Sequence, residues 1–188
     1  MSTRLEILFL RVPQGLASRF RVALYRLLGL SAGRPIRMER GRIRRCSQIV
    51  LGDHNAFSAG WQLWPIDAEH DGVRIRIGDD NYFNRNVFID ACGLIEIGNE
   101  NQFGPDVYIT DSNHRHAPGV VGKRAGMDVG RVKIGHGCWI GAKAVILKDV
   151  VLGDRCVVGA GAVVTKSFPA DSVIVGVPGR LVEERSKV

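Results

Sequence analysis

Bulky apolar residues recur at every sixth position through most of this chain. The stops run Leu51, Phe57, Leu63; Ile77, Phe83, Ile89; Ile97, Phe103, Ile109; Ile134, Ile140, Ile146; and Leu152, Val158, Val164. A glycine follows the first stop of every set: Gly52, Gly78, Gly98, Gly135 and Gly153. An amphipathic helix repeats near 3.6 residues and a half-buried strand at 2, so this period fits neither. It fits a coil that turns a corner every six residues and closes after eighteen, setting each start above the last. Fixed self-similarity of that kind predicts a solenoid, all β.

The formal net charge of +7 is unevenly placed. Residues 1–45 hold eleven arginines against Glu6 and Glu39, while the remainder holds fifteen basic and seventeen acidic residues. The column is therefore near neutral, and the basicity belongs to the N-terminal segment. The interleaved aromatic and basic platforms that single strands need are missing, so no nucleic-acid partner is expected. The cysteines Cys46, Cys92, Cys138 and Cys156 form no C-x-x-C, which argues against a zinc ribbon or a disulfide framework. Cys138 and Cys156 share one slot of the repeat and are expected to stack about 5 Å apart as small buried residues. A reduced, cytoplasmic setting suits them.

Residues 1–12 are apolar but interrupted by Glu6 and Arg11, too short and too charged for a membrane span. Leu16, Phe20, Leu24 and Leu27 then follow at helical spacing with Arg19, Arg21 and Arg26 between them. Two readings are open for this basic, partly helical segment of 1–45. The helix packs on the solenoid and hides its open edge, or it lies on an anionic membrane surface, helped by Arg40, Arg42, Arg44 and Arg45. The solenoid domain is placed at 46–182. Its rhythm breaks at 115–131, where four glycines and a proline predict a loop thrown out from the wall. Residues 183–188 form a polar tail.

The hexads IGHGCW, IGAKAV, LGDRCV and VGAGAV, the histidine-bearing excursion and the ending VIVGVPGRLV together resemble the hexapeptide-repeat acyltransferases. The resemblance covers about 50–182 and is strongest to the sugar and polysaccharide O-acetyltransferases. It implies a left-handed parallel β-helix. General physics would predict the other hand, since parallel crossovers are right-handed in about 98% of cases. It also implies a homotrimer with active sites between subunits, acetyl-CoA as co-substrate, no metal, and a saccharide acceptor in surface polysaccharide or glycolipid biosynthesis.

Acyl transfer from a thioester needs a base, donors for the oxyanion, and a cleft that aligns two substrates. Of the histidines, His114 closes the third coil and opens the excursion, the place of the family's catalytic base. His116 is its competitor, and Asp111 or Asn113 are candidates to orient the ring. The resemblance places Trp139, Gly141, Ala142 and Ala160 along the pantetheine arm, and Thr165, Lys166 and Arg180 at the nucleotide and its phosphates. A serine common in relatives is Ala142 here, which leaves only backbone. Asn84, Asp90 and Asp111 are the candidate acceptor-binding residues.

Three rivals are weighed. A γ-class carbonic anhydrase shares this solenoid, but the histidines that should converge with His136 on zinc are missing. A non-catalytic scaffold would have no use for His114, Lys166 and Arg180. N-acetylation of an amino sugar or a small amine remains open within the enzyme class.

Overall fold

In a computed structural model of the chain, residues 12–66, 72–115 and 126–184 are described. Among them, short strands stack coil over coil into three walls. The first wall is Ser31–Ala32, Ile49–Leu51, Ile75–Ile77, Leu94–Ile97, Arg131–Ile134 and Val151–Leu152. The second is Arg37–Met38, Ala56–Phe57, Tyr82–Phe83, Gln102–Phe103, Trp139–Ile140 and Val157–Val158, closed by a hairpin of Ser172–Val175 with Arg180–Glu184. The third is Arg42–Ile43, Gln62–Pro65, Phe88–Ala91, Tyr108–Thr110, Val145–Ile146 and Val163–Val164. Every wall pairing is parallel except that hairpin. This is the coil that the repeat predicts, and the left-handed parallel β-helix that the resemblance implies.

The predicted stops are the interior. Leu51 pairs with Ile77, Ile97, Ile134 and Leu152 in turn, and the Phe57 and Leu63 columns run the same way. Side chains alternate across a strand, so each stop points inward while its neighbours face out. Phe57, Phe83 and Phe103 lie nearly parallel, with ring centroids 4.5 and 4.6 Å apart. Each stop is at most a few per cent exposed.

One corner carries a buried polar ladder that the hydrophobic pattern did not reveal. The Asn81 N–H donates to Asn55 Oδ1 at 3.1 Å, Asn101 to Asn81 at 2.9 Å, and Cys138 to Asn101 at 2.7 Å. The Asn55 and Asn81 amides also donate to backbone carbonyls of their own and the next coil. In the last two coils Cys138 and Cys156 take this slot, both buried and free of disulfides, as the spacing predicted.

The N-terminal boundary differs from the sequence reading. Ser31–Ala32, Arg37–Met38 and Arg42–Ile43 pair in parallel with the coil that starts at Leu51. The column therefore begins inside the 1–45 segment rather than at 46. Ala32–Gly33 followed by Met38 is the same apolar–glycine start, hidden because the third stop falls at Ile43, one residue early.

Helix α1 (Val12–Leu27) covers that end, but not with the face its apolar spacing suggested. Leu16, Phe20, Leu24 and Leu27 are 60, 73, 43 and 85% exposed. The helix instead turns Ser18, Arg21, Val22, Tyr25 and Arg26 to the column. Met38 N–H donates to Ser18 Oγ at 2.8 Å, Arg21 donates to the Met38 carbonyl, and Arg26 to those of Ala32 and Gly33. The reason is that the open end of a stacked sheet presents unpaired backbone groups, and only polar side chains can satisfy them. Tyr25 meets Trp61 edge-on at 6.1 Å, which seals the apolar interior.

Candidate active site

The corner between the second and third walls forms a ridge, one step per coil. Its residues include Ser58 to Gly60, Asn84 to Asn86, Gly104 to Asp106, Gly141 to Lys143, and Gly159 to Gly161. Neighbouring strands stand about 4.8 Å apart, so Asn84 and Gly141, two coils apart, are separated by roughly 10 Å along the ridge. The structure thus brings the acceptor candidate Asn84 and the pantetheine candidates Gly141, Ala142 and Ala160 onto one edge. Trp139 stands just before them on the second wall, 59% exposed.

The ridge is packed closely at its C-terminal coils. A Cβ on Gly141 would lie 2.6 Å from the Ala160 nitrogen, and one on Gly104 2.6 Å from that of Ala142. Gly141 N–H donates to the Val158 carbonyl at 2.7 Å, and Gly161 N–H to that of Ala142 at 2.8 Å. The N–H groups of Ala142 and Ala160 themselves make no hydrogen bond among the described residues. Two backbone donors one coil apart, beside side chains no larger than methyl, suit the amides and carbonyls of an extended thioester arm.

His114 sits elsewhere. It ends the strand Ser112–His114, which pairs antiparallel with Met127–Val129 and places His114 opposite Met127. The excursion therefore leaves the column as a two-stranded ribbon, not as loop over the whole of 115–131, and Arg131 already belongs to the first wall. Residues 116–125, with His116, lie outside the described residues. The ribbon springs from the corner between the third and first walls. His114 and the ridge are on opposite edges of the third wall.

Asp111 roots that ribbon. Its two carboxylate oxygens accept the N–H of Cys92 at 2.7 Å and of Gly93 at 2.9 Å, and its carbonyl accepts the Gly130 N–H at 2.7 Å. It is fully buried, and burial pushes its carboxyl up to about 6 against the stabilising backbone donors. This corrects its placement as an acceptor-binding residue. A carboxylate enclosed at a corner, with both oxygens engaged, supports the ribbon that carries His114 instead. Asn113 and His114 are successive in a strand and point to opposite faces. No hydrogen bond joins Asp111 or Asn113 to the His114 ring among the described residues.

Asp90 faces outward from the third wall among Trp64, Phe88 and Tyr108. Tyr108 Oη donates to Asp90 Oδ2 at 3.1 Å, while Oδ1 is buried without a hydrogen-bond partner among the described residues. Burial raises the Asp90 carboxyl above the usual carboxylate range, with the Tyr108 hydrogen bond opposing it. Thr165 and Lys166 are exposed at the corner between third and first walls in the last coil, on the His114 side, with Lys166 Nζ 5.5 Å from the Phe168 ring. Arg180 starts the terminal hairpin strand and donates to the Gly179 carbonyl at 3.3 Å. Thr165 and Lys166 are thus across the third wall from the Gly141–Ala160 ridge within one chain, whereas Arg180 pairs with Val175, which packs on Gly159 at the C-terminal end of that ridge.

His136 is engaged in structure. Its Nδ1 accepts the Asn99 N–H at 3.1 Å, and its own N–H donates to Asp154 at 2.8 Å. Among the described residues no group of three or more His, Cys, Asp or Glu is placed to hold a metal ion.

Residues 131–166 match the family described as bacterial transferase hexapeptide (six repeats). WbbJ of Escherichia coli (strain K12), named as a lipopolysaccharide biosynthesis O-acetyl transferase, is 30% identical over 76% of this chain and 74% of its own length. Nodulation protein L of Rhizobium meliloti (strain 1021) is 40% identical over 58% of this chain, which spans 60% of that protein. A galactoside acetyltransferase solved in complex with coenzyme A is 30% identical, covers 68% of this chain and 64% of its own, and superposes with a TM-score of 0.54. The chain belongs to the hexapeptide-repeat transferase family.

Proposed function

We propose that this protein moves an acetyl group from acetyl-CoA to a hydroxyl of a saccharide, with His114 as general base. The observation that carries this reading is an exposed histidine on a two-stranded ribbon together with a ridge of free backbone N–H groups. They lie on opposite edges of one wall, so a single chain does not bring them together. A homotrimer, in which the ribbon of one subunit faces the ridge of the next, completes the site. The relatives support it: one is named for lipopolysaccharide O-acetylation, and a galactoside acetyltransferase was solved with coenzyme A.

The chemistry follows from the groups present. The acceptor hydroxyl is positioned by Asn84 and Asp90. The His114 imidazole takes its proton as the oxygen attacks the thioester carbonyl carbon. The Ala142 or Ala160 N–H meets the oxyanion, a task for fixed donors in a site shielded from water. Collapse breaks the C–S bond, and the imidazolium returns its proton to the departing CoA thiolate. Trp139 flanks the thioester, and Thr165, Lys166 and Arg180 receive the phosphates. Thiol release from acetyl-CoA across a saccharide panel, with acetylated product identified, tests the reading. Hydrolysis without any acetylated saccharide would overturn it.

We further propose that the chain works in the cytoplasm at an anionic membrane face. The outward stripe of Leu16, Phe20, Leu24, Leu27 and Leu28, beside a segment with a large arginine surplus, carries this. No helix among the described residues is long and apolar enough to cross a membrane.

A further inference from the structure

A cavity of about 660 Å³ opens at the N-terminal end of the ridge. Arg40, Arg42 and Arg85 line it, with Gln62 and Asn86 beside them and Gly41 and Gly60 in its floor. The floor is held flat by sterics. A Cβ on Gly41 would collide with the Trp61 ring, and one on Gly60 with Asn86 Oδ1. Its volume suits a bound small molecule.

The charge in this cleft is one-sided. None of the three arginines has a carboxylate within ion-pair distance among the described residues. The two acids nearby are already engaged: Glu39 accepts the Ala59 N–H at 3.0 Å, and Asp106 accepts the Asn86 amide at 2.9 Å. Arg44, two residues after Arg42, lies over the Trp64 ring instead. Three guanidinium groups lining one concave surface, with no carboxylate in ion-pair distance of any of them among the described residues, repel one another, and an anion with several oxygens relieves that. Guanidinium forks match phosphate oxygens two at a time.

We propose that this cleft binds the diphosphate of a phosphate-linked saccharide, so that the acceptor is an activated sugar rather than a free one. Arg85 follows Asn84 directly and donates its N–H to Asn84 Oδ1 at 2.8 Å. A diphosphate held by Arg85, Arg40 and Arg42 therefore leads its sugar onto Asn84 and up the ridge toward the thioester. This rests on the reading of Asn84 as an acceptor-binding residue. The same chemistry is offered by a nucleoside diphosphate sugar and by a sugar on a prenyl diphosphate.

The test uses the full chain, the Arg40→Gln/Arg42→Gln/Arg85→Gln triple variant, Arg85→Gln alone, and Arg76→Gln on the first wall as control. Calorimetry with inorganic pyrophosphate should show binding that weakens about tenfold or more in the triple variant, less in the single one, and not in the control. Acetyl transfer is then compared on a free saccharide, a nucleoside diphosphate sugar and a sugar on a short prenyl diphosphate. One diphosphate arm should give the lower KM, the triple variant should raise it about tenfold or more, and the KM for acetyl-CoA should hold. Which arm responds identifies the source. Equal pyrophosphate binding by wild type and triple variant overturns the proposal. Transfer to free saccharides without pyrophosphate binding overturns the cleft and leaves the acetyltransferase reading standing. Arginine-dependent pyrophosphate binding with no transfer to any acceptor upholds the cleft and removes that reading.

Discussion

The carboxylate of Asp111 clamps the backbone of Cys92, accepting its N–H at 2.7 Å from the coil beneath. Burial raises this carboxyl to about 6, above its unfolded value. The folded chain then holds a proton there more tightly than the unfolded chain does. The stability from this group is complete below about pH 4 and is lost as pH rises through about 6, on the order of 2–3 kcal/mol. Asp111→Asn removes that titration. Denaturant unfolding should show the variant gaining on wild type between pH 4 and pH 7, whatever its offset at low pH.

His114 is exposed and lies on a strand edge, so its removal should leave the fold intact. His114→Ala should lower kcat about 10²- to 10⁴-fold while acetyl-CoA binding, measured by calorimetry, stays within about twofold. Unchanged turnover would pass the role of base to another residue.

Gly141 has no room for a methyl group, because the atom it would meet is backbone nitrogen of the next coil. Gly141→Ala should destabilise the chain by about 1–3 kcal/mol, read as a lower unfolding midpoint. It should also weaken acetyl-CoA binding, because the strain falls between the Ala142 and Ala160 donors. Gly15→Ala, with open space around it, is the contrast and should do neither.

The two faces of α1 make opposite predictions. Val22→Ala and Ser18→Ala touch the column and should lower thermal stability, by about 1 kcal/mol or more each. A Leu16→Ser/Phe20→Ser/Leu24→Ser variant should melt near wild type. Wild type should co-float with vesicles containing anionic lipid and not with neutral ones, and the variant should lose that co-flotation. Equal flotation by wild type and variant would reject the membrane role of this face.

Lys166→Glu with Arg180→Glu should raise the KM for acetyl-CoA severalfold and steepen with lower salt, since both side chains are exposed. An unchanged KM would leave both as solvated surface cations.

The period of six made the core legible, because each stop is inward by strand alternation and every stop found its predicted partner. The coil at 31–43 escaped because its last stop is displaced by one residue and its basic residues drew attention to charge. The helix was foreseen but its orientation was not. Apolar spacing says which residues share a face, while the decision here belonged to unpaired backbone at Ala32, Gly33 and Met38. At the site, the sequence named the ridge residues and the histidine, yet it treated Asp111 as available. Only three dimensions show two N–H groups from another coil closing on it. The arginine cleft was half legible: Arg40 and Arg42 belong to a basic cluster visible in the sequence, but Arg85 joins them only when coils stack.

The amides of Asn55, Asn81 and Asn101 both donate and accept across successive coils, whereas Cys138 and Cys156 reach the next carbonyls only through weakly donating thiols. Loss of one amide strands partners above and below it, so the early coils open together or not at all. The later coils lack that mutual insurance and can fray one by one. The molecule is thus firmly knit where α1 sits and looser toward the terminal hairpin, and amide-proton exchange should advance along it in that direction.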